Sequence, residues 1–266
     1  MSLLIQACLA IALYLGASLY LWFQLRRQPK LNQGPFLGMA ALAIIIHGML
    51  SFQWVVTPDG LDFGLLPMSS ALFFAINLVV LLSSLQKPLH NLFLGLFPIT
   101  LIILLVSLFT ERSSELAVAI SHGISLHIIF SILAYSLLTI ASFHAVLLAW
   151  QNWHLHNRQS GGWLQTHMPP LQTMEALLFE LLWCGFFLLT LSLVTGLFFI
   201  DDFFAQQLAH KTFFSIAAWF FYAVLLWGHH VRGWRGNLAI RWTLGGFIAL
   251  ALSYTGSKFV LEVLLG

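Results

Sequence analysis

Polar residues break this chain into long apolar stretches of similar length. An α-helix needs roughly 17–25 apolar residues to cross a ~30 Å hydrocarbon core. Eight stretches meet that length, at residues 3–24, 37–56, 66–86, 92–109, 125–152, 178–200, 212–230 and 238–262. The pattern predicts an all-α polytopic membrane protein with eight transmembrane helices in one bundle. No basic residue precedes the first stretch and no small-residue cleavage site lies before Arg26, so it is expected to stay in the mature protein as a helix.

The breaks between the stretches predict an orientation. Lys and Arg collect in short cytoplasmic loops. Arg26, Arg27 and Lys30, then Lys87, then Arg158, then Arg232 and Arg235 fall in alternate breaks. The other breaks hold Asp59 and Asp62, then Glu111, Arg112 and Glu115, then Asp201, Asp202 and Lys211, and are acidic or nearly neutral. Both termini are therefore expected on the outer, periplasmic side. The one long break, 153–177, contains Ser160-Gly161-Gly162 and Pro169-Pro170, which do not continue a helix. It divides five helices from three but carries no sign of a soluble domain, and no internal repeat is visible. Residues 1–266 are expected to form a single transmembrane domain.

Composition agrees with the pattern, at 60% hydrophobic and 8% charged with a mean hydropathy of +0.91. Water-soluble domains carry about 25% charged residues. A formal charge of +2, dispersed along the chain, excludes a nucleic-acid footprint; the bilayer is the expected surrounding. The two cysteines, Cys8 and Cys184, fall in different apolar stretches near opposite membrane faces, and both are expected to be free, packed thiols. There is no phosphate-binding glycine loop, no CxxC, no His-Glu-x-x-His and no Gly-x-Ser-x-Gly turn. The expectation is a protein without a catalytic reaction of its own.

Histidine changes the picture. Eleven are present, and imidazole is both a haem ligand and a proton relay. His47 falls mid-helix, His127 opens the fifth helix at the outer face, His144 lies in the inner half of that helix, and His229 and His230 end the seventh at the inner face. His127 and His144, on one helix, are about 25 Å apart at ~1.5 Å per residue and cannot share an iron. His47 lies about 15 Å deep from the inner face and His229 about 3 Å, a mismatch that a shared cofactor has to bridge by tilt. Ordinary roles compete. An intramembrane histidine can hydrogen-bond across helices, and His229 and His230, beside Trp227 and Trp234, fit an interfacial belt. His154, His156 and His167 are expected in a solvated loop, as are the paired carboxylates Asp201-Asp202. Two alternatives without a cofactor stand beside haem: a partner-binding membrane scaffold, and a transporter accessory subunit whose His47, Asn77 and His144 line a polar path.

Two stretches resemble a known family. The first runs from Leu126-His127 through Ala134-Tyr135-Ser136. The second runs from Lys211 through Ser215, Trp219 and Tyr222-Ala223 to His229 and Arg232-Gly233-Trp234-Arg235-Gly236. Together they are similar to the outer-face histidine helix, the Lys-x-x-x-Ser-x-x-x-Trp-x-x-Tyr-Ala helix and the closing Gly-Trp-x-Gly of the cytochrome c assembly family, the CcsA, CcmC and HemX group. The eight-helix plan with His47 in the second helix looks closest to the inner-membrane YpjD-type subgroup. The resemblance implies a multi-pass protein of the bacterial inner membrane that binds or handles haem, with His47, His127 and His229 as axial ligands to the haem iron and a membrane protein as partner. Two family features are missing. Phe198-Phe199-Ile200-Asp201-Asp202-Phe203-Phe204 stands where the family carries a tryptophan-rich haem-presenting loop, and no histidine follows the last helix.

Overall fold

The structure, a computed structural model, describes residues 2–27, 32–57, 60–87, 89–109, 122–157, 168–199 and 206–256. Among the described residues eight α-helices follow in order: α1 Leu3–Arg27, α2 Gln33–Val55, α3 Leu65–Ser84, α4 Phe93–Phe109, α5 His122–His156, α6 Leu171–Phe199, α7 Gln206–Arg232 and α8 Gly236–Ala251. A 3₁₀ turn, His90–Leu92, leads into α4, and a π turn, Leu252–Gly256, continues α8. Seven helices, α1 to α7, are long and apolar enough to cross a membrane. The eighth predicted span is present as the 16 residues of α8 followed by the π turn; the remainder of its expected length, 257–262, lies outside the described residues.

The helices are longer than the apolar stretches, because hydropathy marks the part in hydrocarbon and not the polar turns that continue beyond it. α6 starts at Leu171, immediately behind Pro169-Pro170, with Gln172, Thr173 and Glu175 in its first turns. Met174 donates its N–H to the Pro170 carbonyl at 3.1 Å. Much of the long break expected at 153–177 is therefore helix. α2 starts at Gln33, ahead of the expected 37, because Pro35 falls in the first turn, where its missing N–H costs no hydrogen bond. Between α2 and α3, strands β1 (Val56–Thr57) and β2 (Gly60–Leu61) pair antiparallel, which the all-α expectation did not include. Asp62 ties the end of β2 to its neighbours. Its N–H reaches the Val55 carbonyl at 2.8 Å, and its carboxylate accepts the Gly64 N–H at 2.8 Å.

The chain divides into two compact units, residues 1–119 with 154–169, and residues 120–153 with 170–266. Among the described residues the division is four helices and four, where the long break suggested five and three. α5 goes with α6, α7 and α8 because its Ala134, Leu138, Ala141, Ala145 and Leu148 face joins their core.

In the first unit, α1 packs against α2 and α4, α2 against α3, and α3 against α4. Ala7, Ala10 and Ala17 recur at helical spacing on the buried face of α1, small residues of the kind that let neighbouring helices approach closely where lipid gives no hydrophobic drive to helix association. Tyr14 and Leu21 complete that face. The Tyr14 ring meets Phe97 edge-on at 4.9 Å, and Phe36, Phe93 and Phe97 fill the core beside it. In the second unit, large rings seat on glycines. Tyr222 lies over Gly246, where an added Cβ would come within 2.8 Å of the ring. Cys8 and Cys184 are free as expected, but they are exposed on the outer surfaces of their helices and not packed.

Candidate functional site

Two of the predicted histidines, His127 and His229, share one feature in the second unit. Half-buried His127, near the start of α5, turns towards α6. Its Nδ1 lies 2.8 Å from the Ser192 carbonyl, an acceptor only, so the ring proton sits on Nδ1 and Nε2 carries the lone pair. Ser131, one turn on, is 2.7 Å from both the His127 carbonyl and Ser192 Oγ, while its approach to Nε2 is a long 3.4 Å. With Ser131 donating to the carbonyl and Ser192 donating to Ser131, both hydroxyls are satisfied and Nε2 receives no proton. The Ser192 carbonyl is held from the other side by Thr195 Oγ1 at 3.0 Å.

His229 repeats this chemistry near the C-terminal end of α7. Its Nδ1 lies 2.8 Å from the Trp234 carbonyl, which again fixes the proton on Nδ1. The ring stacks on Phe179 of α6 at a centroid distance of 3.5 Å, tilted 17°. No described residue hydrogen-bonds its Nε2. The two histidines do not converge. His127 is level with Ser192, Thr190 bonds Trp219 Nε1 at 2.9 Å, and His229 lies ten residues beyond Trp219 on α7. With the two residues from Thr190 to Ser192 added, ~1.5 Å per residue separates them by about 18 Å along the bundle, so one iron cannot take both.

The family comparison covers both stretches. Residues 35–265 match the family described as "Cytochrome C assembly protein". The chain belongs to the cytochrome c assembly family. It is 31% identical over 228 residues, 85% of this chain and 86% of the other, to "Inner membrane protein YpjD" of Escherichia coli (strain K12). It is 30% identical over 208 residues, 75% of this chain and 76% of the other, to "Uncharacterized 28.8 kDa protein in nifR3-like 5'region" of Azospirillum brasilense. No solved structure matches it.

Haem iron is the group this family implies, and the test of fit is the donor set. A metal-bound imidazole typically donates its other N–H to a carbonyl, carboxylate or water, which sets the tautomer and the ring's direction. In this family member His127 and His229 have that arrangement already in place through Ser192 and Trp234. His47 has a different one. It is fully buried on α2, with Nδ1 3.0 Å from Tyr14 Oη of α1 and Nε2 3.1 Å from Ser70 Oγ of α3; Ser70 in turn lies 2.7 Å from Ser51 Oγ. Both nitrogens are engaged, so a metal reaches Nε2 only after the Ser70 hydroxyl leaves.

The remaining candidates are tied individually. His144 lies 2.9 Å from the Met174 carbonyl through Nε2, so its proton is on Nε2, opposite to the other two. Asn77 donates to the Phe73 carbonyl and to Thr100 Oγ1, each at 2.8 Å. Each of the proposed path residues, His47, Asn77 and His144, is thus bound to partners within its own unit. The side chains of His122 and His210, and Asp201, Asp202 and His167, lie outside the described residues. Among the described residues no three His, Cys, Asp or Glu side chains gather where they could hold a metal.

Several participants have no sequence signature of their own. Tyr14, Ser51 and Ser70 look like ordinary members of apolar helices until the fold brings them to His47. The Ser131 position, four after His127, was readable as a helical neighbour. The backbone carbonyls that set both tautomers leave no trace in residue type.

Proposed function

We propose that this chain is an integral inner-membrane haem-handling protein of the cytochrome c assembly family, with the Nε2 atoms of His127 and His229 as two separate axial ligands. The observation that carries the reading is the shared Nδ1–H bond to a backbone carbonyl, which leaves each Nε2 as an acceptor pointing away from its anchor. Bound haem would supply the iron chemistry. The chain's own contribution is to fix each imidazole, to surround the macrocycle with apolar side chains and to limit water access. His47, with both ring nitrogens engaged, is not a ligand on this reading; it fastens α1, α2 and α3 together. That arrangement is what favours the second reading, a cofactor-free scaffold, for the first unit.

The spectrum of the protein purified in detergent from cells supplied with ample haem tests the reading. The expected result is a Soret band that His127→Ala and His229→Ala each diminish in part, the two losses adding because the ligands are separate. A colourless wild type favours the scaffold.

The proposed orientation puts both termini outside. At the C-terminal ends of α1 and α7, Arg26 lies over Trp22 at 4.1 Å and Arg232 over Trp227 at 5.2 Å. Such pairs fit an interface where rings sit at headgroup level and cations face the cytoplasm. Alkaline phosphatase fused after residue 266 is expected to be active, and a cytoplasmic fluorescent reporter there dark; the reverse pattern inverts the topology.

A further inference from the structure

The Trp234 carbonyl that sets His229 belongs to a turn, and the turn is held at both ends. At its start, Gly233 N–H reaches the His229 carbonyl at 3.1 Å and Trp234 N–H reaches the Gly228 carbonyl at 3.3 Å. The Trp234 indole lies on Gly228 and tilts against Trp242 of α8 at 5.7 Å. Gly233 at φ +67° and Gly236 at φ +56° take left-handed backbone, with Arg235 extended between Trp234 and Gly236. The far end is the start of α8, where Arg235 occupies the N-cap and provides no side-chain cap. Glu175 of α6 fills that role from outside, its carboxylate oxygen accepting the Gly236 N–H at 2.8 Å. An acidic group there also matches the positive end of the helix dipole. Phe179, one turn further along α6, is the ring on which His229 stacks.

We propose that Glu175 is a positioning residue for His229. By holding the Gly236 N–H it fixes the Trp234-Arg235-Gly236 backbone, and with it the carbonyl that keeps the imidazole proton on Nδ1. α6 thereby sets both the plane of the ring, through Phe179, and the identity of its free nitrogen, through Glu175. No residue type at 229 or 234 encodes this. The helix pair α7 and α8 is docked on α6, and the docking chooses the tautomer. The effect on haem rests on the reading of His229 as a ligand; the effect on the tautomer does not.

The test uses the full chain in detergent micelles with ¹⁵N-labelled histidine at about pH 8, where an ordinary imidazole is neutral. The His229 resonances are identified by their absence from His229→Gln. In the wild type, Nδ1 is expected protonated and Nε2 unprotonated. Glu175→Gln keeps an acceptor at the same reach and is expected to keep that spectrum. Glu175→Ala, which removes the acceptor, and Glu175→Asp, which keeps the charge but falls short, are expected to raise the Nε2–H population at least tenfold. In haem titrations on a His127→Ala background, where only the His229 site remains, the same two variants are expected to bind about tenfold more weakly, the scale of outer-shell losses at metal sites. If Glu175→Ala does not fold, the Asp and Gln variants decide. Wild-type tautomers in Glu175→Asp, or a Gln variant that behaves like Ala, overturn the proposal. A wild type that takes no haem but shows the expected tautomer changes removes the ligand reading and leaves the positioning role standing.

Discussion

Tyr14→Ala is expected to destabilise the first unit by about 3 kcal/mol or more, the scale of emptying a large buried aromatic site. Tyr14 is fully buried, packs edge-on against Phe97 at 4.9 Å, and provides the hydroxyl that pairs with His47 Nδ1 at 3.0 Å. Truncation opens a cavity between α1 and α4 and strands one nitrogen of a fully buried imidazole. Tyr14→Phe separates the two contributions. It keeps the ring and loses only the hydroxyl, and interhelical hydrogen bonds in membranes are worth about 0.6 kcal/mol, at most about 1.7. Unfolding in detergent with increasing denaturing surfactant, followed by circular dichroism, measures both. An alanine variant as stable as the phenylalanine variant would show that α1 is not held through this ring.

The second large effect is expected at Gly228. A Cβ there would lie 2.4 Å from the Trp234 ring, closer than real contacts allow, so Gly228→Ala has to displace the indole. Overpacking of this kind costs about 1–3 kcal/mol. More tellingly, it moves the turn that carries the carbonyl bonded to His229. The variant is therefore expected to lose haem signal together with thermal stability, to the extent that His229→Ala does. Gly16 is the matched control, since an added Cβ there meets nothing within 4 Å; Gly16→Ala is expected within about ±0.5 kcal/mol of the wild type. Equal behaviour of the two alanine variants would mean that the turn yields without disturbing His229.

The sequence shows the helices well and their company poorly. Apolar length is a direct physical requirement of the bilayer, so the spans at 66–86 and 92–109 match α3 and α4 nearly end to end. α6 begins seven residues before its apolar stretch because polar residues such as Gln172 and Glu175 are good helix formers outside hydrocarbon. The placement of α5 with α6 to α8 depends on which alanine face meets which core, and a chain that is apolar on every side hides its buried face. The site divides the same way. His127, with its Ala-Tyr helix, and His229, before its Gly-Trp-x-Gly turn, were legible as candidates because motif residues surround them. The hydrogen-bonded state of His47 was not, because Tyr14 lies 33 positions away and Ser70 lies 23. The partner of Glu175 is a backbone N–H 61 positions away, which no residue pattern announces.

The most direct test of haem ligation by Nε2 of His127 and His229 is an optical titration of haem into the detergent-solubilised chain, comparing the wild type with the double variant His127→Ala/His229→Ala. The account predicts a saturable Soret shift in the wild type, a smaller one in each single variant, and none above nonspecific partition in the double variant, while His144→Gln titrates like the wild type. A double variant that saturates as the wild type does would contradict it.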